Sequence, residues 1–126
     1  MSESLAVICN VLNSLPHSVI VCNREGKVLD ANQAAKLVHE VSEIEDLQGC
    51  FNREEVTRAL NGEYCSYEYA KTGSSGKKIW LKVQCNPVYT DASEPIGVSI
   101  FEKDITAQKE MIEELLNLKI KGVRNG

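Results

Sequence analysis

The sequence predicts an α+β fold: a five-stranded antiparallel sheet with short helices over one face, flanked by an N-terminal and a C-terminal helix. Three observations carry this expectation. Two β-branched runs at 18–22 and 27–31 flank a turn, alternating strands fill most of 63–105, and three short helical stretches lie between these two groups of strands. A chain of 126 residues, 43% hydrophobic and 25% charged, suits one domain with a single core.

Leu5, Ile8, Leu12 and Leu15 recur at helical spacing, with Val7 and Val11 widening the stripe, so residues 1–16 read as an amphipathic helix ended by Pro16. The run "SVIVC" (18–22) is a strand, and "NREG" turns the chain, with Gly26 able to take positive φ before "KVLDA" returns as a second strand. Asn32 caps a helix starting at Gln33, because its side-chain oxygen can accept a free amide of the first turn; Ala34, Leu37, Val38 and Val41 are expected on one face. "SEIEDLQG" (42–49) is a helical turn closed by Gly49. Asn52, with Glu55 three residues later, is a capping-box variant opening a helix that carries Val56, Ala59 and Leu60 and ends at Asn61-Gly62.

From Glu63 the pattern becomes β. "EYCSYEYAK" leads to a polar tip, "TGSSG", which joins two strands without a helix to offer amides and so reads as a plain hairpin loop. In "KKIWLKVQCNPVY" the residues Ile79, Leu81, Val83 and Cys85 alternate with Trp80, Lys82, Gln84 and Asn86, which places Trp80 on the outer face. "TDASEP" turns the chain, and "IGVSIFEKDI" is the last strand, with Ile96, Val98 and Ile100 on one face. Thr106, or Asp104 before it, caps a charged, Leu-rich final helix, and no Gly or Pro separates strand from helix.

Eighteen acidic against fourteen basic residues give a net charge of -4, which offers phosphate backbones and anionic lipid no attraction. A direct nucleic-acid partner and membrane contact are therefore not expected. Cys9, Cys22, Cys50, Cys65 and Cys85 form no C-x-x-C pair, and three of them sit in apolar runs, the usage of buried thiols in a reducing cytosol. The segment 4–23 lacks Asp, Glu, Lys and Arg, but Asn10, Asn13, Ser14, Pro16 and His17 interrupt it, so it reads as neither a membrane span nor a signal peptide. A cytoplasmic location follows as the expectation.

Taken together, "SVIVCNREGKVLDANQAAKLV" (18–38), "IWLKVQCNPVYTDASEPIGVSIF" (79–101) and "DIT" (104–106), in this order and spacing, resemble a PAS domain. The resemblance covers roughly 17–106 and implies three parts: a helix at 1–16, the PAS core at 17–106, and a signalling helix at 107–126 that begins a linker to an effector. It implies a sheet and short helices around a pocket that holds haem, flavin, a small metabolite or nothing. It further implies a homodimer, and a D-I-T junction that relays a signal to a histidine kinase, cyclase or transcription regulator in the same chain.

On this resemblance Asp104, Ile105 and Thr106 are the relay. Strand alternation nominates Val19, Val21, Tyr67, Leu81, Val83, Val98 and Ile100 as pocket residues, and Leu37 is added from the helix after Asn32. Ile105, Ile112 and Leu115 or Leu116 recur at about heptad spacing, so Ile112 and Leu116, with Leu5, Ile8, Leu12 and Trp80, are the expected dimer surface.

The cofactor stays unassigned, with haem and flavin disfavoured. The flavin photosensors of the family carry Asn-Cys-Arg-Phe-Leu-Gln where this chain has "QGCFNREEV", so Cys50 stands without the polar residues that hold an isoalloxazine. Haem-binding members use a helical His, for which His39 is the candidate. No metal site and no catalytic set are expected. Two alternatives remain: a ligand-free protein-interaction scaffold, or a small α+β enzyme using a Tyr and a carboxylate as acid and base. The second is disfavoured because Glu68 and Glu102 are both expected to point outward; either one inside the cavity beside a tyrosine would favour it.

Overall fold

The computed structural model describes residues 17–89 and 93–125. The helix expected at 1–16, with Leu5, Ile8 and Leu12, lies outside the described residues, as does part of the turn after Tyr89.

Five strands form one antiparallel sheet: β1 (Ser18–Asn23), β2 (Val28–Ala31), β3 (Cys65–Thr72), β4 (Lys78–Val88) and β5 (Gly97–Asp104), in the spatial order β2-β1-β5-β4-β3. Between β2 and β3 lie α1 (Gln33–Val38), a single 3-10 turn (Ile44–Leu47) and α2 (Arg53–Leu60); α3 (Thr106–Asn125) follows β5. The fold is thus the expected α+β arrangement.

Local chemistry explains where each element starts and stops. The β1–β2 turn uses Gly26 at φ 79°, where an L side chain would be strained, and Asn23 Oδ1 accepts the amides of Glu25 and Lys27 at 3.0 Å each. Asn32 caps α1 by accepting from Ala35 N at 3.0 Å and also accepts from Val19 N at 2.9 Å, so one buried amide ties the helix to β1. Asn52 caps α2 through the amides of Glu54 (2.9 Å) and Glu55 (3.3 Å).

Antiparallel partners share a face, so the registers sort the side chains. Ile20 faces Ile100, which faces Cys85, which faces Cys65; Cys22 faces Val98, and Val83 faces both Glu102 and Tyr67. This inner face, closed by Ala35, Leu47, Val56 and Ala59 from the helices, is the core. The outer face carries Val19 opposite Phe101, Val21 opposite Ser99, and Trp80 opposite Ala70.

Three sequence expectations are corrected here. Val19 and Val21 lie on the outer face, not toward the pocket: both parities of "SVIVC" are largely apolar, so alternation alone does not say which one turns inward. Leu37 is 69% exposed. The helix turns about 100° per residue, and with Ala35 as the buried residue of α1 a side chain two positions on is carried to the opposite side. Glu102, expected outside, is 2% exposed on the inner face, continuing the parity of Val98 and Ile100.

Candidate functional site: a cleft over a buried polar cluster

β3 is an edge strand, and its inner-face residues Cys65, Tyr67, Tyr69 and Lys71 face Cys85, Val83, Leu81 and Ile79 of β4. Beyond Cys65 this row is only partly covered. The result is a cleft of about 610 Å³ between β3 and the segment joining the 3-10 turn to α2, lined by Gly49, Cys50, Phe51 and Asn52 on one side and Tyr67, Tyr69 and Lys71 on the other, with His39 at its inner end.

Behind the cleft sits a hydrogen-bonded cluster drawn from four elements. Glu102 Oε1 accepts from Ser18 Oγ at 2.7 Å and lies 2.7 Å from His39 Nε2, while Tyr69 donates its hydroxyl to Oε2 at 3.3 Å. On the far side of the imidazole, Lys71 Nζ is 3.2 Å from His39 Nδ1. An ammonium can only donate, so Nδ1 is the acceptor and the ring proton sits on Nε2, donated to Glu102; the network assigns this tautomer. The cluster therefore runs Lys71⁺ to neutral His39 to Glu102⁻, with the carboxylate charge met by three donors, as burial requires.

Burial pushes the Tyr67 hydroxyl up to about 12, and burial with the neighbouring Glu102 charge raises Tyr69 as well, so both phenols keep their protons at neutral pH. Burial likewise raises the Cys50 thiol, which is the opposite of the activation a nucleophilic cysteine needs. Tyr67 accepts the Asn52 amide at 3.3 Å, and its own proton has no acceptor among the described residues.

Of the eight nominated pocket residues, Tyr67 lines the cleft. Leu81 and Val83 are fully buried opposite Tyr69 and Tyr67, Val98 and Ile100 are fully buried in the core on the same face, and Val19, Val21 and Leu37 lie elsewhere. The sequence reading missed Lys71 and Glu102, although the parity of Tyr67 and Tyr69, and of Val98 and Ile100, points to both. His39 does not fit an axial role toward haem, because both ring nitrogens are engaged within the cluster. Cys50 lines the cleft without the polar set of the flavin photosensors beside it.

The exit from the sheet is equally defined. Between the last residue of β5, Asp104, and the first of α3, Thr106, stands Ile105, buried, with its amide donated to Trp80 O at 2.8 Å. Thr106 Oγ1 accepts from Trp80 N at 2.9 Å and donates to Asp104 Oδ1 at 2.6 Å, and Asp104 Oδ1 also takes the Thr106 amide at 2.9 Å. Asp104, Ile105 and Thr106 are thus brought together and clamped to β4. The first turns of α3 pack on the outer face, where Lys109 Nζ pairs with Glu68 at 2.7 Å and lies 5.0 Å from the Trp80 ring centroid. Ile112 and Leu116 are 55% and 56% exposed. Among the described residues no helix is long and apolar enough to cross a membrane.

A search of curated protein sequences finds no significant match to the chain. Solved structures share its fold. The PAS domain of BvgS from Bordetella pertussis superposes with a TM-score of 0.67 at 18% identity, covering 94% of this chain and 98% of that one. A PAS domain from Colwellia psychrerythraea gives 0.60 at 16% identity, covering 82% and 98%. An RNA-binding light-oxygen-voltage receptor gives 0.71 at 15% identity, covering 94% of this chain and 38% of that longer one. The PAS domain family model matches residues 16–107. With that model spanning most of its length, and with the sheet order and helix placement described above, the chain belongs to the PAS domain family, whose members are sensory domains of histidine kinases and other signalling proteins.

Proposed function

We propose that this PAS domain is a cytoplasmic, non-catalytic sensory and dimerisation module. It takes a small molecule in the cleft beside β3 and passes the event through Asp104–Thr106 and α3 to an effector in the same chain, a histidine kinase, cyclase or transcription regulator. The observation that carries this reading is the clamped junction. Trp80 grips the backbone of Ile105 and the side chain of Thr106, so strain in the sheet has no loop in which to dissipate before it reaches the helix.

Partner choice follows from exposed surface. Met111, Ile112, Leu115, Leu116 and Leu118 are all more than half exposed on a 20-residue helix, just under three heptads long, and a second copy of the chain would cover them. The net charge of -4 argues against direct nucleic-acid contact; the RNA binding printed for the light-oxygen-voltage receptor belongs to that protein.

The test is sedimentation equilibrium at high micromolar concentration, alongside native mass spectrometry and an absorption spectrum. A dimer that Leu116→Glu with Ile112→Glu dissociates, and an added small mass on the purified protein, are the expected results. A monomer throughout, with effector output unchanged on removal of 107–126 from the parent protein, would overturn the relay.

A second reading has one observation in its favour: Glu102 is inside, beside Tyr69, the pair an acid–base enzyme requires. Against it, Glu102 does not line the cleft, is buried, and already accepts from Ser18, His39 and Tyr69, so it is not presented to a substrate in the cleft. Turnover of an enolisable ketone, abolished by Glu102→Gln with binding retained, would move the assignment to this reading.

A further inference from the structure

The cleft has a one-sided supply of hydrogen bonds. Lys71 spends one of its three N–H donors on His39, and the other two have no hydrogen-bond partner among the described residues; the Tyr67 proton is likewise uncommitted. The carboxylate and imidazole acceptors nearby each already hold at least one donor. Glu102 is met by three donors, His39 Nδ1 by Lys71, Glu40 by the backbone and hydroxyl of Ser74, and Glu68 by Lys109. A ligand entering here meets donors and must bring acceptors.

Charge narrows the class further. The Lys71 ammonium is already opposed by Glu102 across the imidazole and by the Glu40 carboxylate. An added carboxylate would add to this negative excess, and an added ammonium would stand beside the Lys71 ammonium where each carboxylate already holds donors. The walls are aromatic: Phe51, and Tyr67 and Tyr69 with ring centroids 6.0 Å apart. Their faces suit a flat apolar body.

Resting on the reading of the cleft as a ligand site, we propose that its occupant is a small, uncharged aromatic molecule bearing a carbonyl-type acceptor. The ring system lies against Phe51, Tyr67 and Tyr69, and the acceptor takes hydrogen bonds from Lys71 and the Tyr67 hydroxyl. A volume of about 610 Å³ is ample for two fused rings.

The experiment titrates the ¹⁵N-labelled chain with three matched probes, 2-acetylnaphthalene, 2-naphthoate and 2-(aminomethyl)naphthalene, following backbone amide shifts. The ketone is expected to shift Gly49, Cys50, Phe51 and Tyr67–Lys71 saturably and to bind more tightly than either charged probe. Lys71→Met should weaken it about tenfold or more, the loss of a hydrogen bond to a charged donor, and Tyr67→Phe a few-fold. Tyr67→Phe keeps the test open if Lys71→Met does not fold. Tighter binding of naphthoate or of the amine at the same amides overturns the chemical class while leaving the ligand site standing, and so does a ketone affinity unchanged in Lys71→Met. Shifts from none of the three overturn the site itself.

Discussion

Replacing Glu102 by leucine is the sharpest test of the buried cluster. The carboxylate, 2% exposed, accepts from Ser18, His39 and Tyr69, so an apolar side chain of similar size leaves three donors facing hydrocarbon. Tyr69 is half-buried at the cleft and can turn to water, whereas Ser18 and His39 are 2% and 7% exposed and cannot. Two orphaned donors at about 1–3 kcal/mol each, both formerly bonded to a charge, put the cost at about 3–5 kcal/mol. That is a large share of the roughly 5–15 kcal/mol that holds a domain together. Glu102→Gln keeps the shape and one acceptor oxygen but turns an NH₂ toward a donor, and should cost about 1–3 kcal/mol. Urea unfolding near neutral pH, with an unchanged m-value, reads both. The asymmetry is the stronger check: Ser18→Ala, His39→Leu and Glu102→Leu combined removes the orphans and should be less destabilised than the sum of the three single variants. Glu102→Leu within about 0.5 kcal/mol of the natural protein would refute the account of the cluster.

At the junction, Thr106→Val preserves shape but strands the Trp80 amide and removes one of the two hydrogen bonds that Thr106 makes to Asp104; we expect a loss of about 1–3 kcal/mol and faster hydrogen exchange at Trp80, and unchanged exchange there would sink the clamp. Gly97→Ala places a Cβ against the carbonyl oxygen of Cys22 across the β1–β5 pairing, so the strands must part, and a melting temperature equal to that of the natural protein would show that no such contact exists. Burial lifts Tyr67 from 10.0 and Cys85 from 9.0, each to about 12, so the folded protein holds these protons when the unfolded chain has released them. Stability from this source is complete below about pH 9 and is lost as pH rises toward 12, read as a falling melting temperature that Tyr67→Phe makes shallower.

What the sequence disclosed was local. Asn32 and Asn52 as caps, Gly26 in its turn and the alternation of β4 each depend on a few neighbouring residues, and each is found where those residues place it. The site depends on pairs far apart in the chain: His39 and Glu102 are 63 residues apart, Lys71 and His39 are 32. No spacing rule joins them. Glu102 alternates with Phe101, which suggests an outward position, but it also continues the parity of Val98 and Ile100, and that parity prevails. A buried acid needs donors, and these come from β1, β3 and the end of α1. For Val19 and Val21 the cause was symmetry, because a strand apolar at both parities does not show its inner face until its partners are known.

β5 is where cleft and exit meet, and on the proposed reading this decides how an occupied cleft would be felt. Glu102 and Asp104 are two residues apart, facing Val83 and Leu81 of the same stretch of β4. A ligand acceptor that takes the uncommitted N–H groups of Lys71 would pull on its bond to His39 Nδ1, one of the two anchors of the imidazole, the other being Glu102. Any shift of Glu102 then reaches Asp104, whose carboxylate holds both the amide and the hydroxyl of Thr106. Trp80 resists from the other side, with Lys109 of α3 lying over its ring. On that reading a small displacement of β5 against β4 at this point would be resolved as a change in the angle at which α3 leaves the sheet, because the backbone and side-chain bonds that could absorb it are already made.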